Sequence, residues 1–191
     1  MGLFEYVAVL TSIIIGLGMA QLLMGLTRLI QHPEQAKPYW IHLCWVFYMF
    51  VFAVFWWWWE FNLGSIGEWT FGIYLFLIFY AVLVFLLCSI LFPTNFSGYD
   101  GFKGYFYDKR AWFFGVFCLA ETFGLGDTAI KGMDYLFSFG PRYLIVTTMN
   151  IVFSVVAIFT RNEKFHGIFA VASIVYLVIS GFLDYETVGL L

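Results

Sequence analysis

Charge is the scarcest property of this chain. Lys and Arg number 9 and Asp and Glu 12 in 191 residues, or 11%, where a soluble domain carries about 25%. With no basic run and a net charge of −3, an electrostatic hold on nucleic acid is excluded. Cysteine is equally sparse. Cys44, Cys88 and Cys118 are odd in number and lie inside apolar stretches, so they are not a disulfide framework of the secreted kind.

Other absences remove whole classes of membrane protein. No Lys falls inside an apolar segment, which leaves a retinal Schiff base without an attachment point. Of the three histidines, His32 and His166 fall at the inner surface and only His42 lies deeper within a segment, so one chain cannot offer two intramembrane axial histidines to a haem. There is no Gly-rich phosphate loop, no regular Arg series of the voltage-sensing kind and no run of the TVGYG type found in potassium filters. The carboxylates lack HExxH spacing or the paired-acid spacing of a hydrolase. A His42–Cys44–Cys88–Cys118 set has ligands soft enough for zinc or copper. It lacks CxxC or HxxxH spacing, and buried cysteine more often acts as a small hydrophobe. No metal and no cofactor is expected.

What the chain has instead is apolar surface. The sequence is 63% hydrophobic and 24% aromatic, with a mean hydropathy of +0.90. A domain of this size cannot hide that much apolar side chain from water, and a lipid bilayer resolves the conflict. Spanning about 30 Å of hydrocarbon takes about 20 residues of helix. Six segments fit: Tyr6–Leu29, Tyr39–Trp59, Trp69–Phe92, Ala111–Ile130, Tyr143–Thr160 and Phe165–Leu183. The N-terminus has no basic region and carries Glu5, so it is expected to stay as the first helix rather than leave as a signal peptide. The fourth segment holds Glu121, Gly124, Gly126 and Asp127, and a re-entrant or broken helix is the alternative there.

Orientation follows from the basic residues of the short loops. Seven (Arg28, Lys37, Lys103, Lys109, Arg110, Arg161 and Lys164) follow the odd helices, and two (Lys131 and Arg142) lie opposite. The odd loops are therefore expected in the cytoplasm, with both termini outside. The acids sort the other way: Glu5, Glu60, Glu68, Asp127, Asp134, Asp184 and Glu186 outside, against Glu34, Asp100, Asp108 and Glu163 inside. An acidic rim raises the local concentration of cations, although acids also remain wherever Lys and Arg are kept away. Trp56, Trp57, Trp58, Trp59 and Trp69 at the outer ends, with Tyr39, Trp40, Tyr105, Tyr107 and Trp112 at the inner ends, read as aromatic belts at the headgroups.

Glu121 is the leading candidate for chemistry. It lies roughly 16 Å along its helix from Arg110, near the bilayer midplane, where an ionised carboxylate is costly and marks a functional site. Asn150 is at similar depth on a stripe with Thr147 and Ser154, and the first helix adds Gln21 on a stripe with Thr11, Gly18, Gly25 and Arg28. The last segment has a line of His166, Ser173, Tyr176, Ser180 and Asp184. Such stripes either line a hydrophilic path or join helices.

The reading is an all-α, polytopic membrane bundle of one domain. Its expected function is a channel or transporter for a small cation, a proton or metal ion, or for a small solute. Glu121, Asn150 and Gln21 are the mid-membrane candidates, and Asp127, Glu60 and Glu5 form an outer acidic entrance. Two alternatives stand beside it, the first of which uses the same polar residues as helix glue. One is a non-catalytic subunit or assembly protein of a larger complex. The other is a lipid- or quinone-handling enzyme working at the inner loop of Asp100, Lys103, Asp108, Lys109 and Arg110. Six short helices enclose little volume, so a homo-oligomer or a larger membrane complex is expected. The opening Phe4-Glu5-Tyr6 helix and the Trp-rich second segment resemble bacterial membrane proteins of unassigned function, which suggests the inner (plasma) membrane as location.

Overall fold

A computed structural model describes residues 3–31, 37–94 and 98–185, and every regular element among them is helical. In chain order these are α1 (Leu3–Gln31), α2 (Trp40–Trp59) continued by a 3-10 helix (Glu60–Ser65), α3 (Phe71–Ile90), α4 (Phe102–Lys131), a short α5 (Met133–Ser138), α6 (Gly140–Phe159) and α7 (Glu163–Tyr185). All but α5 are long and apolar enough to cross a bilayer. The chain is a multi-pass helical membrane protein. His32, Glu34 and Glu186 lie outside the described residues.

Several helix ends have a local cause. Thr70 caps α3 by accepting a hydrogen bond from the Ile73 N–H at 3.2 Å, Pro141 opens α6, and Asn162 Oδ1 accepts from the Lys164 N–H at 3.0 Å at the start of α7. These satisfy or remove the orphan donors of a first turn. Gly132, at φ +137°, separates α4 from α5 in a conformation that only glycine adopts without strain.

α4 departs most from expectation. It is one unbroken helix of 30 residues, about 45 Å long, and it begins nine residues before the expected start. Lys103, Asp108, Lys109 and Arg110 therefore occupy helical turns, not a loop. Gly124 and Gly126, read as possible breaks, are packing sites. A Cβ at Gly124 would stand 3.0 Å from the Tyr80 hydroxyl, and one at Gly126 would stand 2.9 Å from the Phe76 ring. The glycines let α3 approach α4 closely, and Phe76 stacks on Phe123 at 4.8 Å. Small residues serve the same purpose at other membrane-helix contacts. Gly18 of α1 sits against Phe85 and Cys88 of α3 in this way.

α4 is the central helix, with α3 along one side and α6 along another; α1 packs on α3, and α2 packs on α7. Polar contacts mark the two ends of the bundle. At one end Lys37 pairs with Asp100, Lys103 with Glu163 at 2.7 Å, and the Tyr39 hydroxyl donates to Glu163 at 3.1 Å. These contacts join the connections after α1, α3 and α6 on one side, which we call the basic end. The connections after α2 and α4 meet at the other end, where Asn62 donates to the Tyr135 hydroxyl at 3.0 Å. The alternation of ends read from the sequence is thus present. Which end faces the cytoplasm can be measured: a cysteine replacing exposed Gly67 should react with an impermeant maleimide on intact cells. Labelling only after lysis would invert the topology.

Aromatic rings fill the half nearer the basic end. Trp45 is wholly buried, and the rings of Tyr48, Phe113, Phe114, Phe117 and Phe169 surround it at centroid distances of 5.2–5.4 Å. At the opposite end the four-Trp run divides. Trp57 and Trp58 are about half exposed, as a belt requires, but Trp56 is 1% exposed and packs on Tyr80. The belt reading is corrected for Trp56, because consecutive helical positions turn by about 100° and cannot all face lipid, and at the basic end for Tyr39 and Tyr105, which are buried while Trp40 and Trp112 are exposed.

Candidate functional site

A cavity of about 100 Å³, lined by aromatic and aliphatic side chains with a polar stripe among them, lies inside the bundle between α2, α3, α4, α6 and α7. One stripe of α4 forms its spine: Glu121, Gly124, Asp127, Thr128 and Lys131 all line it, at spacings that fall on one helical face. From Glu121 to Lys131 that stripe rises about 15 Å, half a bilayer core. A 3.6-residue period is thus enough to make a continuous polar wall from an otherwise apolar helix.

Glu121 and Asn150 meet across α4 and α6, with the Asn150 Nδ2 donating to Glu121 Oε2 at 3.4 Å. Thr147 of α6 and Tyr176 and Ser180 of α7 line the same space, so part of each polar stripe reaches it, while Ser154, His166 and Ser173 do not. Tyr143 closes the α6 side; its hydroxyl is 2.9 Å from Thr128 Oγ1 and donates to the Gly124 carbonyl at 3.4 Å. Gln21 does not join this group. It is exposed on α1, whose inward face carries Gly18 instead.

The upper part of the site holds an unexpected group. Lys131 Nζ donates to Asp127 Oδ2 at 2.6 Å and to Glu60 Oε1 at 3.1 Å, and the three side chains are only 2%, 8% and 5% exposed. Asp127 and Glu60 were expected on an open acidic rim. They are instead drawn inward, because the 3-10 turn after α2 places Glu60 over the end of α4, where Lys131 reaches both. Glu5 is exposed in the first turn of α1, and Glu68 and Asp134 are also exposed. Burying such a triad costs several kcal/mol per ion, by rough estimate, unless the pairs are close. Here they are close, yet Glu60 Oε2 and Asp127 Oδ1 remain buried without a hydrogen-bond partner.

Lys131 is the residue that sequence reading missed. By sequence it falls in an outer loop, outside every apolar segment; in the structure it is the last residue of α4. The available signal was its spacing from Asp127, the i,i+4 separation of a helical ion pair. Glu60 comes from a different helix and left no such trace.

The histidines and cysteines do not gather. His42 Nε2 lies 2.6 Å from the Leu91 carbonyl and its ring stacks on Phe102 at 4.3 Å. His166 Nε2 lies 3.1 Å from the Thr160 carbonyl. Among the described residues no group of three or more His, Cys, Asp or Glu is placed to hold a metal ion. Near the basic end Asp108 is engaged by Lys109 at 2.8 Å and by the Tyr99 hydroxyl at 2.6 Å, which ties up much of the charge that a headgroup or phosphate site would use.

Comparison with protein-family models, curated proteins and solved structures gave no match. The reading of the site therefore rests on its own residues.

Proposed function

We propose that this protein is a channel or transporter for small cations, protons or metal ions, or for a small solute, with Glu121 as the mid-membrane carboxylate. The observation that carries the reading is the meeting of Glu121 and Asn150 at an internal cavity that Asp127 and Lys131 also line. A buried carboxylate in a bilayer costs a few kcal/mol; a structural role alone would be served by an uncharged amide at far lower cost. Charge points the same way. Glu60 and Asp127 set two carboxylates against the one ammonium of Lys131, and Glu121 adds a third acid. When these are ionised the cavity lacks positive charge, which a proton or a cation supplies.

Purified protein in liposomes should carry a cation or proton flux above that of empty vesicles. Glu121→Gln, which keeps shape and hydrogen bonding but not charge, should reduce it at least tenfold while the protein still melts cooperatively. Flux equal to empty vesicles, or unchanged in the variant, would end this reading. Release of a stable partner on mild-detergent purification, with no flux, would favour the membrane-subunit alternative. The same proposal includes assembly as a homo-oligomer or within a larger complex, and residence in a bacterial inner membrane with the basic end in the cytoplasm.

A further inference from the structure

Lys131 Nζ takes one oxygen of each carboxyl, Glu60 Oε1 at 3.1 Å and Asp127 Oδ2 at 2.6 Å. The other two oxygens, Glu60 Oε2 and Asp127 Oδ1, are buried and receive no donor. Yet the two carboxyls are within hydrogen-bonding reach of each other. Ionised carboxylates only accept, so a contact between two of them is repulsive. One proton reverses its sign, since a carboxylic acid donates to a carboxylate in a short, charge-assisted bond. The oxygens that lack a donor then become the two ends of one hydrogen bond.

Charge leads to the same count. Two carboxylates and one ammonium leave a single negative charge on side chains that are only 5%, 8% and 2% exposed, where an uncompensated charge is costly. One proton makes the triad neutral, and a second would leave the ammonium unpaired. Like charges in contact do not both ionise, so close carboxyl pairs hold one proton between them. The other titratable side chains that line the cavity are Glu121 and the phenols of Tyr48, Tyr80, Tyr135, Tyr143 and Tyr176. A phenol is never a cation, and Lys131 is the one cation among the described lining residues. Nothing else there balances the second carboxylate. A metal ion in the proton's place would need several oxygen ligands, and no group of three His, Cys, Asp or Glu gathers among the described residues.

We propose that Glu60 and Asp127 share one exchangeable proton, and that this pair is a second proton site beside Glu121. Asp127 lines the cavity, and Glu60 belongs to the 3-10 helix at the end of the bundle. A proton that passes from Asp127 to Glu60 therefore leaves the cavity toward that end, while Lys131 stays charged and bound to both. The inference rests on the permeation reading only in giving this proton a path, and it names the proton as the permeant.

Infrared spectroscopy of the protein in nanodiscs tests the shared proton. The wild type should show a carboxylic-acid C=O band that shifts on transfer to D2O and persists in Glu121→Gln. Glu60→Gln and Asp127→Asn should each remove that same band, because the one carboxylate left is paired with the ammonium. Each variant keeps a neutral triad and should still melt cooperatively. In liposomes Glu60→Gln should lower proton flux at least tenfold, and sodium or potassium gradients should drive none. No acid band, a band that survives either variant, or two bands with one lost in each would overturn the shared proton whatever the flux. The expected bands without any flux would support the shared proton and remove the permeation reading. A sodium or potassium flux, undiminished in Glu60→Gln, would overturn the proton as permeant and spare the permeation reading.

Discussion

Replacing Lys131 with Met should lower the stability of the fold by about 3–5 kcal/mol, the usual consequence of removing one partner from a buried ion pair. The loss comes less from the missing hydrogen bonds than from what remains. Glu60 and Asp127, both held by the ammonium at 3.1 and 2.6 Å, would be left as two buried carboxyl groups with no counter-charge. Detergent-solubilised protein should melt at lower temperature and unfold at lower sodium dodecyl sulfate. A triple variant, Glu60→Gln, Asp127→Asn and Lys131→Met, should recover most of the loss, because neutral groups of similar shape avoid the uncompensated charge. Wild-type melting of Lys131→Met would show that the triad is not closed and charged. A triple variant no better than the single would show that the ammonium itself holds α2 to α4. If the triad also serves the cavity, the triple variant should be stable and silent in flux, which separates fold from function.

The triad also shows where sequence reasoning stopped. Helix number and alternation of ends were legible because the bilayer imposes one length and the loops one charge pattern. The Glu121–Asn150 pair was legible in part: residue count puts the two at a similar level, and they do meet. Rotation was not. Gln21 has comparable depth, but the facing of a helix turns by about 100° per residue, and on α1 glycine rather than glutamine meets α3. The glycines of α4 misled for a related reason. Gly124 and Gly126 break a helix only when nothing packs on them, and here Tyr80 and Phe76 fill the space. Whether a glycine is a break or a socket depends on the neighbouring helix, and a single sequence does not say which helix that is. Glu60 was hidden by the same gap: its partner lies 71 residues away.

Trp45→Ala should be the most damaging change in the apolar part of the bundle, at about 2–4 kcal/mol. In water, truncating a buried Trp costs about 3–5 kcal/mol, part of it the lost transfer of apolar surface. That part shrinks here, since a helix released from the bundle still lies in lipid, which is as apolar as the core. The cavity and lost dispersion contacts remain, and Trp45 has five rings at 5.2–5.4 Å to lose. Those rings belong to α2, α4 and α7, so one side chain joins three helices. Its indole Nε1–H, however, is buried without a hydrogen-bond partner, which costs stability in the present fold. Trp45→Phe should therefore be close to neutral, because removal of the unmet donor offsets the smaller ring. A loss in Trp45→Phe as large as in Trp45→Ala would mean that the indole N–H does have a partner. Full stability in Trp45→Ala would mean that the ring cluster fills space without holding the helices together. The expected split between the two variants is a property of lipid as solvent: shape and hydrogen-bond balance decide the outcome when apolar area no longer does.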